Sequence, residues 1–145
     1  MNSPFKILIV DDEVELTEIL STIIAKDDRQ IEVALNGKLA LEKTQSTTFD
    51  LIICDLSMPQ MSGTAFFEKA RAQKVFCPFI FLTGHYDHLS EAVNLNKYGV
   101  SIFGKTQLQS MIKQIDIILA QANNNFITDD ISDAIKALLS LKGRV

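Results

Sequence analysis

Two apolar runs that each end in acid set the frame for this chain. Phe49-Asp50-Leu51-Ile52-Ile53-Cys54 leads into Asp55, and Phe5-Lys6-Ile7-Leu8-Ile9-Val10 leads into Asp11, Asp12 and Glu13. Neither run alternates as a half-exposed strand would, so both suit strands covered by helices on the two faces of a parallel sheet. In an open α/β sheet, ligands bind at the carboxyl edge of the strands. Two strands ending in acid at that edge bring Asp11, Asp12 and Asp55 into one cleft. Carboxylates held so close repel one another unless protons or a cation neutralise them. The simplest reading is a divalent-metal site.

Further strand-length runs stand at 31–35, 79–82 and 100–103, with helical patterns between them. The first helix carries Leu16, Ile19, Leu20, Ile23 and Ile24 on one face, and Glu13, Glu15 and Glu18 lie in its first turns, where the helix dipole favours acid. The second follows Asn36-Gly37 and carries Leu39, Ala40 and Leu41. Ser62 is a good N-cap for the third, which carries Ala65, Phe66, Phe67 and Ala70. The fourth, at 87–97, has the weakest stripe, and the fifth, at 107–122, has the strongest. Alternating strands and helices with right-handed crossovers predict a five-stranded doubly wound parallel sheet. A chain of 145 residues, 47% of them hydrophobic, can fill such a core as one domain.

With a net charge of −4, the surface predicts neither nucleic-acid nor membrane binding. Two cysteines, both in apolar stretches, read as reduced core thiols. No leader pattern or membrane-length run is present, which predicts a soluble protein working in the cytoplasm. Asn123-Asn124-Asn125 divides a domain at 1–122 from a short linker and amphipathic helix at 123–145. In that tail Ile127, Ile131, Ala134, Ile135, Leu138 and Leu141 keep helical spacing and need cover from the domain, a partner or a second copy.

The strand ends carry the chemistry. Asp11 and Asp12 close the first strand, Asp55 the third and Thr83 the fourth, and Lys105 follows the fifth. Oxygen-only ligands point to Mg²⁺ before Ca²⁺. Carboxylate, Mg²⁺, hydroxyl and ammonium together make a phosphoryl site, with Asp55 as the nucleophile and an acyl phosphate as the product.

These motifs resemble the receiver domain of two-component response regulators over about residues 5–121. The likeness rests on Val10-Asp11-Asp12-Glu13, Ala34-Leu35-Asn36-Gly37, the run from Phe49 through Asp55 to Met58-Pro59, Met61-Ser62-Gly63, Leu82-Thr83-Gly84 and Lys105. It implies a flavodoxin-like strand order of 2-1-3-4-5. It further implies that Asp55 accepts phosphate from the phosphohistidine of a sensor histidine kinase or phosphotransfer protein. Asp12, Asp55 and the Ser57 backbone carbonyl would bind Mg²⁺ directly, and Asp11 would act through water. Thr83 would be the switch hydroxyl and Lys105 the phosphate counter-charge. The domain would signal to a protein partner, catalysing at most its own phosphorylation and dephosphorylation. Any homodimer would use the face of the fourth helix, fifth strand and fifth helix, or the C-terminal helix.

The chain departs from the family pattern at several places. Ile102 stands where receivers carry an aromatic ring, and Thr106 where a proline usually follows the lysine. Thr106 and Gln109 read as a capping box instead. Ser57 stands where aspartyl phosphatases on a similar sheet carry a second Asp, which argues against that enzyme. The remaining alternatives are a receiver-like adaptor working without phosphate and a receiver fragment of a longer protein.

Overall fold

Five parallel strands form the centre of the computed structural model, which describes residues 3–84, 93–95 and 99–121. The elements are β1 (Phe5–Val10), α1 (Val14–Ile24), β2 (Arg29–Ala34), α2 (Gly37–Ser46), β3 (Leu51–Asp55), α3 (Gly63–Ala72), β4 (Phe79–Thr83), β5 (Val93–Leu95), β6 (Val100–Gly104) and α4 (Leu108–Ala120). The parallel strands lie in the order β2-β1-β3-β4-β6, the predicted doubly wound arrangement. Every residue of β3, β4 and β6 is buried, as expected of strands covered on both faces.

Alternation along the strands divides the core into two layers. Leu8, Val10, Ile52, Cys54, Phe79, Phe81 and Ile102 join Phe66, Phe67 and Ala70 of α3 on one side. Ile7, Ile9, Ile53, Ile80, Leu82 and Phe103 join Leu20 and Ile24 of α1 and Met111 and Ile115 of α4 on the other. Ile102 and Phe103 therefore face opposite layers, and Ile102 is a packed core residue. Caps close α2 and α3 as their sequences require: Asn36 Oδ1 accepts from Leu39 N, and Ser62 Oγ accepts from Ala65 N.

Three local expectations need correction. Residues 93–95, placed within a predicted fourth helix, instead form the edge strand β5, antiparallel to β6. The open edge of β6 offers backbone partners, and a helix with so weak an apolar stripe has little packing energy to set against them. The remainder of 87–97 lies outside the described residues, as does the tail at 123–145. Ile19 and Ile23, assigned to the buried face of α1, are 52% and 38% exposed, while Thr17 is buried. The helix buries a narrower line through Thr17, Leu20 and Ile24, and the Thr17 hydroxyl is satisfied by the Val14 carbonyl at 2.6 Å. Finally, Thr106 and Gln109 form no capping box. Gln107 is the N-cap of α4, and its side chain folds back so that Oε1 accepts from Gly104 N at 2.8 Å. Gln107 N also donates to Gly104 O at 2.9 Å, closing a tight turn that starts the helix one residue later. The Lys105–Thr106 peptide bond is trans.

The turn after β3 fixes the position of Asp55. Leu56 N donates to Leu82 O, prolonging the β3–β4 pairing, and Gly63 N donates to Leu56 O as α3 begins. A side chain at Gly63 would overlap the Asp55 carbonyl oxygen and lie 2.9 Å from Leu56 Cα. Glycine stands there because the helix start passes directly against the strand end.

Candidate functional site at the carboxyl edge

β1, β3, β4 and β6 all end at the same edge, and each delivers the residue expected there. Asp11 is 1% exposed, Asp55 is buried and Asp12 is exposed. One carboxylate oxygen from each lies within 4.8 Å of the others. Asp11 Oδ1 accepts from Glu13 N at 2.8 Å, and Asp55 Oδ1 accepts from Ser57 N at 3.1 Å. These bonds orient both carboxylates by means of the backbone that follows them. Thr83 is fully buried at the end of β4, paired with Gly104 of β6, and its carbonyl accepts from Lys105 N. That pairing turns Lys105 back over the acids. Its Nζ lies 3.5 Å from Asp55 Oδ2, 3.6 Å from Glu13 Oε1 and 4.0 Å from Asp11 Oδ2.

The cluster carries more negative charge than Lys105 can balance. Burial, reinforced by the Asp55 charge and opposed by the Glu13 N–H and Lys105, pushes the Asp11 carboxyl up to about 6. Burial also raises Asp55, against the Ser57 N–H and Lys105. Burial would lower Lys105, but Asp55, Asp11 and Glu13 outweigh it and raise its pKa. An oxygen-only donor set still short of positive charge fits a hard divalent cation. Burial keeps both cysteines as thiols: Cys77 is pushed up to about 12 and Cys54 well above its usual range.

A stability test follows from these shifts. Asp11 has an ordinary value of 3.8 and a folded value of about 6, so between these the metal-free folded protein binds more protons than the unfolded chain. Its stability must therefore fall as pH rises through that window. In EDTA, unfolding free energy should be about 1 kcal/mol higher at pH 5 than at pH 7 from Asp11 alone. Denaturant titrations at the two pH values check this, and a higher value at pH 7 would contradict it.

The sequence pattern found every acid of the cluster but gave Glu13 no place in it. The signal was present in the third successive acid after β1, which the register of the turn brings to Lys105. Gln107, which shapes the Lys105 turn, had no comparable signature.

A flavodoxin-like parallel sheet with an acidic cluster and a lysine at its carboxyl edge defines a class of fold and site, and comparison with known proteins narrows it to a family. Residues 7–116 match the family model of the response regulator receiver domain, and the chain belongs to that family. It is 30% identical over 116 residues to the transcriptional regulatory protein ZraR of Escherichia coli, an alignment covering 80% of this chain and 24% of ZraR. The regulatory protein AtoC of Escherichia coli is 29% identical over 124 residues, covering 76% of this chain and 27% of AtoC. The chain thus spans about a quarter of the length of these relatives. Among solved structures, the response regulator TrrA of Thermotoga maritima, in complex with Mg²⁺-BeF, aligns with a TM-score of 0.64 and 28% identity, covering 79% of this chain and 98% of that one. The chemotaxis protein CheY4 of Vibrio cholerae aligns with a TM-score of 0.65 and 26% identity, covering 80% and 99%.

Proposed function

We propose that this chain is a phosphorylatable receiver: Asp55 takes a phosphoryl group from the phosphohistidine of a histidine kinase or phosphotransfer protein, in a Mg²⁺-dependent step, and a protein partner reads the change. The observation that carries this reading is the buried Asp55 carboxylate, within 4.8 Å of Asp11 and Asp12 and 3.5 Å from the Lys105 ammonium. An Asp55 oxygen attacks phosphorus, the phosphorus–nitrogen bond of the donor breaks, and the imidazole leaves. Asp12, Asp55 and the Ser57 carbonyl would hold Mg²⁺, with Asp11 acting through water. Bound there, the ion supplies positive charge opposite the phosphoryl oxygens. Lys105 balances the charge on one of those oxygens, and the Thr83 hydroxyl donates to another. TrrA held with Mg²⁺-BeF on a similar fold supports this assignment.

The protein turns over no separate substrate, because gain and loss of phosphate both occur on its own side chain. Val14, Ile19 and Ile23 are open on α1, the helix that begins beside Asp12, and offer a phosphodonor protein an apolar surface next to the site. TrrA has been solved in complex with the histidine kinase ThkA, which supports a kinase as the partner. Output would pass through the face of β6 and α4, with a homodimer there or through residues 123–145 as one form of it. No helix among the described residues is long and apolar enough to cross a membrane, and we place this activity in the cytoplasm. Intact-mass spectrometry tests the proposal. Incubation with acetyl phosphate and Mg²⁺ should add one phosphoryl group, and EDTA should abolish the addition. No added mass in Mg²⁺, or equal labelling in EDTA, would refute it.

A further inference from the structure

Among the described residues the Lys105 ammonium has three acidic neighbours, and one of them lies outside the metal cluster. Glu13 Oε1 is 3.6 Å from Lys105 Nζ, against 3.5 Å for Asp55 Oδ2 and 4.0 Å for Asp11 Oδ2. Asp11, Asp12 and Asp55 form the group that could hold a metal ion, and Glu13 is absent from it. Glu13 is also the N-cap residue of α1, yet its side chain makes no capping hydrogen bond. Glutamate is longer than the Ser, Thr, Asp and Asn side chains that ordinarily cap a helix, so the Glu13 carboxylate reaches for a partner outside the helix. Here the side chain, 63% exposed at the mouth of the site, is turned to the lysine instead.

We propose that Glu13 is a positioning residue that sets the rate of phosphoryl transfer to Asp55 by competing with the incoming phosphoryl oxygens for the Lys105 ammonium. This rests on Asp55 being the phosphoacceptor. As the phosphoryl group arrives, Lys105 exchanges its contact with Glu13 for one with a phosphoryl oxygen. Asp55 and Asp11 still hold the ammonium in the site when Glu13 is neutral. The glutamate therefore positions the ammonium away from the incoming phosphoryl oxygens and adds a cost to the transfer step.

The test is a double-mutant cycle on the full chain, with acetyl phosphate as donor in Mg²⁺; Asp55 attacks phosphorus and acetate leaves. Glu13→Gln should accelerate phosphorylation roughly two- to fivefold at low ionic strength, the range set by one exposed ion pair. The difference should close as NaCl approaches about 1 M. In a Lys105→Ala background Glu13→Gln should have no effect on the rate. Mg²⁺ affinity and thermal midpoint should stay unchanged in the single variant, which a merely structural role would not predict. An unchanged or slower Glu13→Gln, an advantage that persists in Lys105→Ala, or one indifferent to salt overturns the proposal. A wild type that takes no phosphoryl group overturns the parent reading as well, so the two failures are distinct.

Discussion

Asp55→Asn should gain no phosphoryl group from acetyl phosphate in Mg²⁺ at donor concentrations that fully label the wild type. Asparagine has the shape of aspartate and can still accept the Ser57 N–H bond made at 3.1 Å, so the turn after β3 keeps its geometry. What is lost is the nucleophilic oxygen and one negative charge of the cluster. Burial raises the Asp55 pKa, so the ionised carboxylate costs the folded state stability near neutral pH, and a neutral amide in its place escapes that cost. The variant should therefore unfold at the same temperature as the wild type or higher in EDTA. That result separates loss of chemistry from loss of fold. Labelling of the variant at any other residue would remove Asp55 from the acceptor role.

Arg71→Ala should cost about 3 kcal/mol of stability, the largest effect expected away from the site. Arg71 is 2% exposed, on the buried face of α3. One guanidinium nitrogen donates to both the Val75 and Cys77 carbonyls at 2.8 Å, pinning the loop that leads into β4. The guanidinium carbon lies 4.6 Å from the Phe67 ring centroid and 5.2 Å from that of Phe79. Those rings pack edge-on with centroids 5.0 Å apart, so the cation completes an aromatic cluster at the base of β4. Burial lowers its pKa to about 10, which leaves it charged at neutral pH. Truncation strips two partly buried carbonyls of a donor and opens a cavity beside the rings. Arg71→Lys keeps the charge and a donor but lacks the planar guanidinium that lies over the Phe67 and Phe79 rings, so its stability should fall between wild type and Arg71→Ala. Equilibrium urea unfolding measures the series, and an Arg71→Ala value within about 1 kcal/mol of wild type, the size of one ordinary hydrogen bond, would show that the loop holds without it.

The acidic site was largely legible before folding. An unalternating apolar run that ends in Asp suits a buried strand with a charged exit, and two of them in a parallel sheet exit on the same side. The residues that tune the cluster were less legible. Glu13 reads as helix-start acid because its partner Lys105 is far away in sequence, and only the β4–β6 register, which turns Lys105 back from Gly104, makes them neighbours. Thr17 in the core and Ile19 at the surface were invisible for a similar reason. Periodicity shows which face of a helix is apolar, but the width of the contact depends on the opposing strands.

The doubly wound parallel sheet and its acid-bearing edge were determined by sequence alone, because strand burial and crossover handedness are local or nearly local rules, while the strand order was implied by the resemblance to receivers. Tertiary structure decided the edge strand β5, which owes its form to the unpaired backbone of β6 rather than to the propensity of residues 93–95. It also decided the pinning of Arg71 against two aromatic rings and the raised pKa values of Asp11 and Asp55. These depend on distances and desolvation, which exist only once distant segments have packed and excluded water from the groups between them.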